Sequence, residues 1–339
     1  GVYGIASVFK HMEAMDLSIE AVDAVFAAPM GRPKSAVYRT ADLVGLDTLV
    51  HVLNTVYDGC PEDEGRDYFK PPQWLEEMVE QGALGNKSRG GFYKKTKDEN
   101  GKRTFLALDY NTVEYRAADR PKWASVKATK GIEETGPRIK MLLEGDDKIA
   151  QFGWKVTARS LIYAITRLGE IADDVVNCAR ARGWGFNGEL GPFETGDASG
   201  LGEGVERMKA DGMEVPEVVT KMLDAGHESF YAGTATVPTY FDYNSGEYKP
   251  VPLDARHIRL AALREGEKII KKNTGATLFD AGDGVLLVEF HTKMNAVDDD
   301  VIGMLHDAVN MAEDEGWKGV VIANEHKDAF SAGANLFAV

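Results

Sequence analysis

The sequence predicts a mainly α-helical protein in which one module occurs twice, followed by the first part of an α/β segment. Two observations support this fold class. First, residues 182–201 resemble residues 28–46, so the chain contains an internal repeat. Second, helical spacing of apolar residues dominates up to residue 252, whereas a strand–helix–strand pattern starts at residue 284.

The repeat rests on residue pairs that share a constant offset. Five pairs lie 155 positions apart: Tyr38 and Phe193, Thr40 and Thr195, Asp42 and Asp197, Gly45 and Gly200, Leu46 and Leu201. A later block matches at an offset of 144, which indicates an insertion in the first copy, and we place it at residues 58–67. The period far exceeds that of a solenoid repeat, so we predict two duplicated modules packed as one lobe. The alternative is chance similarity of glycine-rich helical sequence.

Capping residues and apolar spacing place the elements of the modules. In chain order, we predict helices over 18–28, 43–56 and 72–82, a loop over 85–95, a hairpin over 104–116, a long central helix over 154–181 and a second hairpin over 240–249. Ser18 is the expected cap of the first helix, and Asp109 and Asn111 suit the turn of the first hairpin because their side chains bond to nearby backbone.

The last quarter of the chain has a different pattern. Residues 258–272 read as a polar-faced helix, and residues 284–339 as a strand, a helix and a second strand, at 285–290, 301–312 and 319–323. One such βαβ-like unit cannot bury both faces of its sheet, so we expect an incomplete domain. The predicted organisation is a first copy at 1–120, a linker at 121–149, a second copy at 150–252, a linker helix at 253–283 and the α/β segment at 284–339.

Composition limits the function classes. The 339 residues are 44% hydrophobic and 27% charged, which is usual for a globular protein. The net charge of −15 argues against nucleic-acid and anionic-membrane partners, and the basic pairs Lys94–Lys95 and Lys271–Lys272 are the notable exceptions. Two unpaired cysteines, no long apolar run and no signal-peptide pattern predict a cytoplasmic protein without membrane insertion.

The histidines, the paired acids and one glycine-rich loop are candidate sites by residue type. The seven histidines do not combine with cysteines or carboxylates at metal-ligand spacing, so we predict no metal site. Paired acids such as Glu76–Glu77 are typical of solvated helix faces. The glycine-rich loop 85–91 has two interpretations: Lys87 and Arg89 bind a phosphate, or the loop is a mobile connector.

The segment Phe330–Leu336 follows the predicted strand 319–323 and is rich in small residues. Small residues at such a turn let backbone N–H groups face a ligand, and these groups can stabilise an oxyanion. The alternative is a tight turn with no function.

This segment, FSAGANL, together with EFHTKMNAV upstream, resembles the opening of the enoyl-CoA hydratase (crotonase) fold. The resemblance implies that the Ala332 N–H is one of two oxyanion donors. It also implies that five residues cradle coenzyme A: Lys293, Ala296, Ser331, Ala334 and Leu336. Asn335 departs from the usual aspartate, and residues 291–294 depart from the usual Asn-Arg-Pro run. The second donor and the paired glutamates are expected after residue 339.

The duplicated part has a resemblance of its own. PMGRP, RTADLVGLDT and LGNKSRGGFYKK are similar to the C-terminal helical domain of 3-hydroxyacyl-CoA dehydrogenases, and WGFNGELGPFETGDASGL resembles the second copy found in multifunctional β-oxidation proteins. The resemblance implies an NAD-binding domain, a catalytic His–Glu pair and a substrate-contacting Asn before Gly1. No GxGxxG motif follows a predicted strand in the 339 residues.

Together these resemblances predict part of a bifunctional β-oxidation enzyme. It would oxidise 3-hydroxyacyl-CoA with NAD and hydrate trans-2-enoyl-CoA, as a homodimer through the helical lobe, with a thiolase subunit as a further possible partner. The 339 residues alone are expected to catalyse neither step. Two alternatives remain: a non-catalytic helical scaffold and an acyl-CoA binding protein.

Overall fold

The structure is a computed structural model that describes residues 1–119, 121–326 and 329–335. The chain divides into two compact units. Residues 1–231 and 241–247 form unit 1, and residues 232–240 and 248–339 form unit 2. Within the described residues the chain is mainly helical with small sheets, which confirms the mainly α part of the prediction.

The helices of the described residues are α1 (Val2–Ala14), α2 (Ile19–Val25), α3 (Tyr38–Val44), α4 (Leu46–Gly59), α5 (Gln73–Glu80), α6 (Ala124–Ala128), α7 (Thr135–Leu143), α8 (Lys148–Thr166), α9 (Val175–Phe186), α10 (Pro192–Ala198), α11 (Leu201–Ala210), α12 (Glu217–Asp224), α13 (Leu260–Glu265) and α14 (Asp299–Glu315). Short 3₁₀ turns lie at Ala28–Met30, Arg66–Tyr68, Asn86–Ser88 and Lys293–Asn295.

The strands of the described residues are β1 (Tyr93–Lys97), β2 (Arg103–Asp109), β3 (Glu114–Ala117), β4 (Tyr231–Gly233), β5 (Pro238–Asp242), β6 (Glu247–Pro250), β7 (Ile269–Lys272), β8 (Ala276–Asp280), β9 (Val285–Phe290) and β10 (Gly319–Ala323). They form three sheets, with the orders β1-β2-β3, β4-β5-β6 and β10-β9-β8-β7. Both predicted hairpins are confirmed, as β2–β3 and β5–β6.

The order of elements repeats along the chain, as the predicted duplication requires. Helices α1 to α5 are followed by the sheet β1-β2-β3, and helices α8 to α12 by strands β4 to β6. Helices α2 and α9 even begin with equivalent caps, since Ser18 accepts from Ala21 N and Asp174 from Asn177 N. The two copies pack together through α1 and α8, where the Tyr3 and Tyr163 rings stack at 3.9 Å. Both sets of helices belong to unit 1.

The insertion at residues 58–67 joins the first copy to the last turn of α8 in the second. Asp63 accepts hydrogen bonds from the Tyr163 hydroxyl at 2.7 Å and from Arg167 at 3.1 Å. Glu64 accepts from Arg167 at 2.5 Å and from the Thr166 hydroxyl at 2.9 Å. The insertion is therefore a clasp between the copies, and we call residues 58–67 the clasp segment.

The predicted long helix over 154–181 is wrong. Helix α8 begins earlier, at Lys148, and ends at Thr166, and α9 begins only at Val175. Between them the chain turns through Gly169, which has a φ of +80°, and this leaves Ile171 75% exposed. Apolar spacing cannot show this break, because the helical period continues in the sequence across the turn.

Four other boundaries differ from the predictions. The helix predicted over 43–56 is two helices, α3 and α4, separated by Gly45 with a φ of 109°. The helix predicted over 258–272 is the short α13 followed by strand β7. The segment 121–149, predicted as a linker, contains α6 and α7, and the end of the loop predicted over 85–95 belongs to strand β1.

Unit 2 is built on the four-stranded sheet. Strands β9 and β10 are parallel, with Val285 opposite Gly319, so the predicted strand–helix–strand unit is confirmed. Strands β7 and β8, which the sequence did not reveal, add to β9 in antiparallel order. One face of the sheet packs on α14 through Leu278, Val288 and Met304, and the other buries Phe279 against Leu260 of α13.

Candidate functional site

Unit 1 contains the same carboxylate clamp twice. In the first copy, the two oxygens of Asp42 accept hydrogen bonds from the backbone N–H groups of Phe92 at 2.7 Å and Tyr93 at 2.9 Å. In the second copy, Asp197 binds the N–H groups of Phe230 at 2.8 Å and Tyr231 at 2.9 Å. Asp42 and Asp197 are equivalent positions of the sequence repeat, but the repeat alone does not show what they bind.

An aromatic pair accompanies each clamp. The rings of Tyr38 and Phe92 meet edge to face at 4.7 Å, and those of Phe193 and Phe230 at 5.0 Å. Burial raises the pKa of Asp42 to about 6, although its two backbone hydrogen bonds oppose the shift. Burial raises the pKa of Asp197 further, to about 7, against the same opposition. Because each carboxylate already has both oxygens bonded, the clamps position the chain and do not serve as general bases.

The first copy has a further carboxylate that gathers backbone N–H groups, the half-buried Asp23. Its oxygens accept from the backbone N–H groups of Val37, Tyr38 and Arg39 and from the Tyr93 hydroxyl. Burial raises its pKa to about 6. The sequence indicates this contact only by placing an acid, Asp23, within the apolar stripe of a helix. It does not show which groups the acid binds.

The glycine-rich loop at residues 85–91 is shaped by the first clamp. A Cβ atom on Gly91 would lie 2.0 Å from the Asp42 carboxylate, and one on Gly85 would lie 2.5 Å from the Asp42 carbonyl oxygen. The Lys87 ammonium lies 2.5 Å from the Asp47 carboxylate, so an acid already neutralises it. The ion pair of Lys87 favours the interpretation of this loop as a connector. Two backbone hydrogen bonds between Gly85 and Gly90 close the loop.

Unit 2 brings together four of the five residues predicted to cradle coenzyme A. Residues 293–297 run beside residues 331–335, with Val297 and Ala334 paired as a parallel bridge. Lys293 and Ala296 belong to the first segment and Ser331 and Ala334 to the second. The fifth residue, Leu336, lies outside the described residues.

Hydrogen bonds fix these two segments to each other. The Ser331 hydroxyl donates to the Asn295 carbonyl oxygen at 2.8 Å. The Ala332 N–H, the predicted oxyanion donor, donates to the Met294 carbonyl oxygen at 3.0 Å. Met294 and Asn295 both have positive φ, 58° and 51°, which is unusual for residues with side chains and is found at ligand-binding turns. The Ala332 N–H therefore lies on a tight turn and has an internal partner, and its role as an oxyanion donor stays a prediction.

The remaining observations concern cofactors and membranes. The spacing GxGxxG occurs at residues 183–188, at the end of helix α9 and not after a strand, so it lacks the context of a dinucleotide-binding turn. Within the described parts of the chain, no group of three or more His, Cys, Asp or Glu could hold a metal ion. No helix among those residues has both the length and the apolar composition that a membrane crossing requires.

Comparison with known proteins bears on the first copy, with its clamp and loop. Residues 4–95 match the family described as 3-hydroxyacyl-CoA dehydrogenase, C-terminal domain. This part of the chain is therefore similar to the C-terminal domain of 3-hydroxyacyl-CoA dehydrogenases. The matched region contains Asp42 and both of its backbone partners, so the first clamp lies within the similar part of the chain.

Similarity to individual dehydrogenases extends beyond that domain. A probable 3-hydroxyacyl-CoA dehydrogenase of Bacillus subtilis (strain 168) is 40% identical over 99% of this chain and 41% of its own length. A putative fatty acid oxidation complex trifunctional enzyme of Rickettsia felis is 22% identical over 99% of this chain and 42% of its own length. A 3-hydroxybutyryl-CoA dehydrogenase of Mycobacterium tuberculosis is 36% identical over 26% of this chain. The chain spans about two fifths of the length of the first and second of these relatives.

Proposed function

We propose that this chain is the helical lobe of an NAD-dependent 3-hydroxyacyl-CoA dehydrogenase of fatty acid β-oxidation, joined to the start of an enoyl-CoA hydratase domain. The observation that carries the dehydrogenase part is the family match over residues 4–95, together with the 40% identity that extends over 99% of the chain. The repeated clamp supports it further, because the second copy keeps the same contact at Asp197.

In this proposal, the lobe holds the substrate side of the dehydrogenase. The described residues contain no strand that leads through a glycine-rich turn into a helix, so no step through NAD is derived from them. The role of the clamps is to fix the turns at Phe92–Tyr93 and Phe230–Tyr231 against α3 and α10. They keep the lobe rigid where a substrate and a further domain are held.

The hydratase part of the proposal rests on the paired segments of unit 2. Their small residues leave the backbone accessible, and the Ala332 side chain is exposed. A thioester oxygen could take the hydrogen bond that the Ala332 N–H now gives to Met294. Developing charge on that oxygen would make the exchange favourable, since a charged acceptor binds an N–H more strongly than a neutral carbonyl.

The test uses the natural polypeptide that contains these 339 residues. We expect it to form NADH from 3-hydroxybutyryl-CoA and to hydrate crotonyl-CoA. Ala332→Pro removes the N–H and should lower the hydratase kcat by about 10²- to 10³-fold, while dehydrogenase activity is retained. Ala332→Ser keeps the N–H and is the matched control.

Each other result has a clear meaning. Hydration that is equally fast in Ala332→Pro and Ala332→Ser would reject the oxyanion role of this residue. Binding of acyl-CoA without turnover of either substrate would favour an acyl-CoA binding protein. If the protein neither binds acyl-CoA nor turns over either substrate, the result favours a non-catalytic helical scaffold.

A further inference from the structure

A basic surface covers one face of the sheet β1-β2-β3 in a chain whose net charge is −15. Strands β1 and β2 are antiparallel, with Lys95 opposite Phe105 and Lys97 opposite Arg103. Directly opposed residues in an antiparallel pair point to the same face, so these four side chains share one face with Tyr93, two residues before Lys95. All four are exposed. We call this face, with Arg39 beside it, the basic face.

Arg39 joins the basic face from helix α3. Its guanidinium lies 5.3 Å from the centre of the Phe105 ring and 5.9 Å from that of Tyr93. Its nearest carboxylate, that of Asp42, is 4.0 Å away and already accepts two backbone hydrogen bonds. Most of the hydrogen-bonding capacity of Arg39 therefore remains available to a ligand.

A cavity of about 400 Å³ opens at the basic face. Arg39, Arg103, Tyr93 and Phe105 are among the residues that line it. The volume lies within the range of small-molecule sites, and it combines two guanidinium groups with an aromatic ring that is 41% exposed. This set of groups suits a ligand that carries both a phosphate and a flat ring.

The acidic residues of the cavity wall have contacts of their own. Glu20 receives two hydrogen bonds from the Arg116 guanidinium, at 2.7 and 2.9 Å, and one from the Asp119 N–H at 2.8 Å. These contacts hold the pKa of Glu20 below its usual value, although burial alone would raise it. Arg116 thus neutralises Glu20, and Asp119 is the other acidic residue that lines the cavity.

The second copy of the module shows that folding does not require the basic face. By the offsets of the repeat, Arg39 corresponds to Glu194, Lys95 to Gly233 and Phe105 to Pro238. The second copy retains the clamp with none of these basic or aromatic side chains. The basic face is therefore an addition to the first copy that its scaffold does not need.

We propose that the basic face binds the phosphorylated adenosine part of a nucleotide, with its phosphates on Arg39 and Arg103 and its adenine against Phe105. Coenzyme A and NAD both carry such a group, and this inference does not depend on which reaction the protein catalyses. Binding at the basic face is separate from the paired segments of unit 2.

The test is calorimetric titration of the 339-residue chain with coenzyme A, 3′,5′-ADP, NADH and pyrophosphate. We expect at least one adenine nucleotide to bind more tightly than pyrophosphate. Arg103→Glu should raise its Kd by about tenfold or more, and Phe105→Ala by about tenfold. Lys94→Glu is the matched control, because Lys94 lies on the same strand with its side chain on the opposite face. The salt dependence of binding should become weaker in Arg103→Glu but not in Lys94→Glu.

The four ligands distinguish the sources of the adenosine group. Tighter binding of coenzyme A and 3′,5′-ADP assigns the site to the acyl carrier, and tighter binding of NADH assigns it to the dinucleotide. The proposal is overturned if no adenine nucleotide binds better than pyrophosphate. It is equally overturned if Arg103→Glu and Lys94→Glu change the affinity to the same extent, since the effect would then be one of overall charge.

Discussion

At the scale of single residues, the most informative groups are the two clamp carboxylates, the buried Asp42 and the half-buried Asp197. Neither has a strong ion pair, and each is held by two backbone N–H groups. A buried carboxylate bonded in this way fixes two chain segments with one side chain. Asparagine is not an adequate replacement, because its amide nitrogen would point a donor at a backbone donor.

Asp197→Asn should therefore lower the free energy of unfolding of unit 1 by about 1–3 kcal/mol. Urea denaturation followed by circular dichroism measures this change, with the exposed Asp224→Asn as the control. The loss should depend on pH. Burial raises the pKa of Asp197 in the folded state to about 7, above its value of 3.8 in the unfolded chain. The protonated carboxyl therefore favours the folded state at low pH, and this contribution to the free energy of unfolding is lost as the pH rises through 7.

The difference in unfolding free energy between wild type and Asp197→Asn should consequently shrink from pH 6 to pH 8. Comparison with the variant removes the contributions of other groups, such as His11, whose pKa burial lowers to about 4. A difference that grows with pH over this range would contradict a raised pKa at Asp197.

At the scale of elements, the clasp segment explains why the first copy is longer than the second. It adds no helix of its own to the repeat, and its acids reach the end of α8 in the other copy. Arg167 is the centre of this contact, with its side chain 15% exposed between Asp63 and Glu64. The charge pairing is partly shielded from water, so it contributes more than a surface ion pair does.

Arg167→Met should cost about 1.5–3 kcal/mol of stability, the range for hydrogen bonds to charged groups. In a double-mutant cycle with Asp63→Asn, the two losses should be less than additive because they remove the same contact. Lys130→Met, at an exposed position, is the control. Strict additivity would show that the clasp segment does not couple to α8 through this pair.

At the scale of the whole molecule, the two units have different secondary structure. Unit 1 buries its core between duplicated helices, and unit 2 around a four-stranded sheet. We propose that the protein is a homodimer through the helical lobe. Sedimentation velocity should then give a mass near twice the 37.0 kDa of the chain, and this mass should persist on dilution to nanomolar concentration. A single species of 37.0 kDa at micromolar concentration would reject the dimer.

The sequence by itself predicted both hairpins and the βαβ unit, and it showed the internal repeat. These features depend on local patterns or on similarity between distant segments, and both are visible in a one-dimensional string. The pairing of Asp42 with Asp197 across the repeat was also visible, although it gave no indication of what the two residues bind.

Only the tertiary structure decided which backbone groups those carboxylates hold, where the clasp segment attaches, and that α8 ends before Gly169. It also showed the Ala332 N–H bonded to Met294 and placed Arg39 beside Phe105. Each of these is a contact between residues far apart in the chain, or a turn that leaves the apolar period intact. Local spacing fixes which face of an element is apolar, but the partner of a polar group depends on how the elements pack.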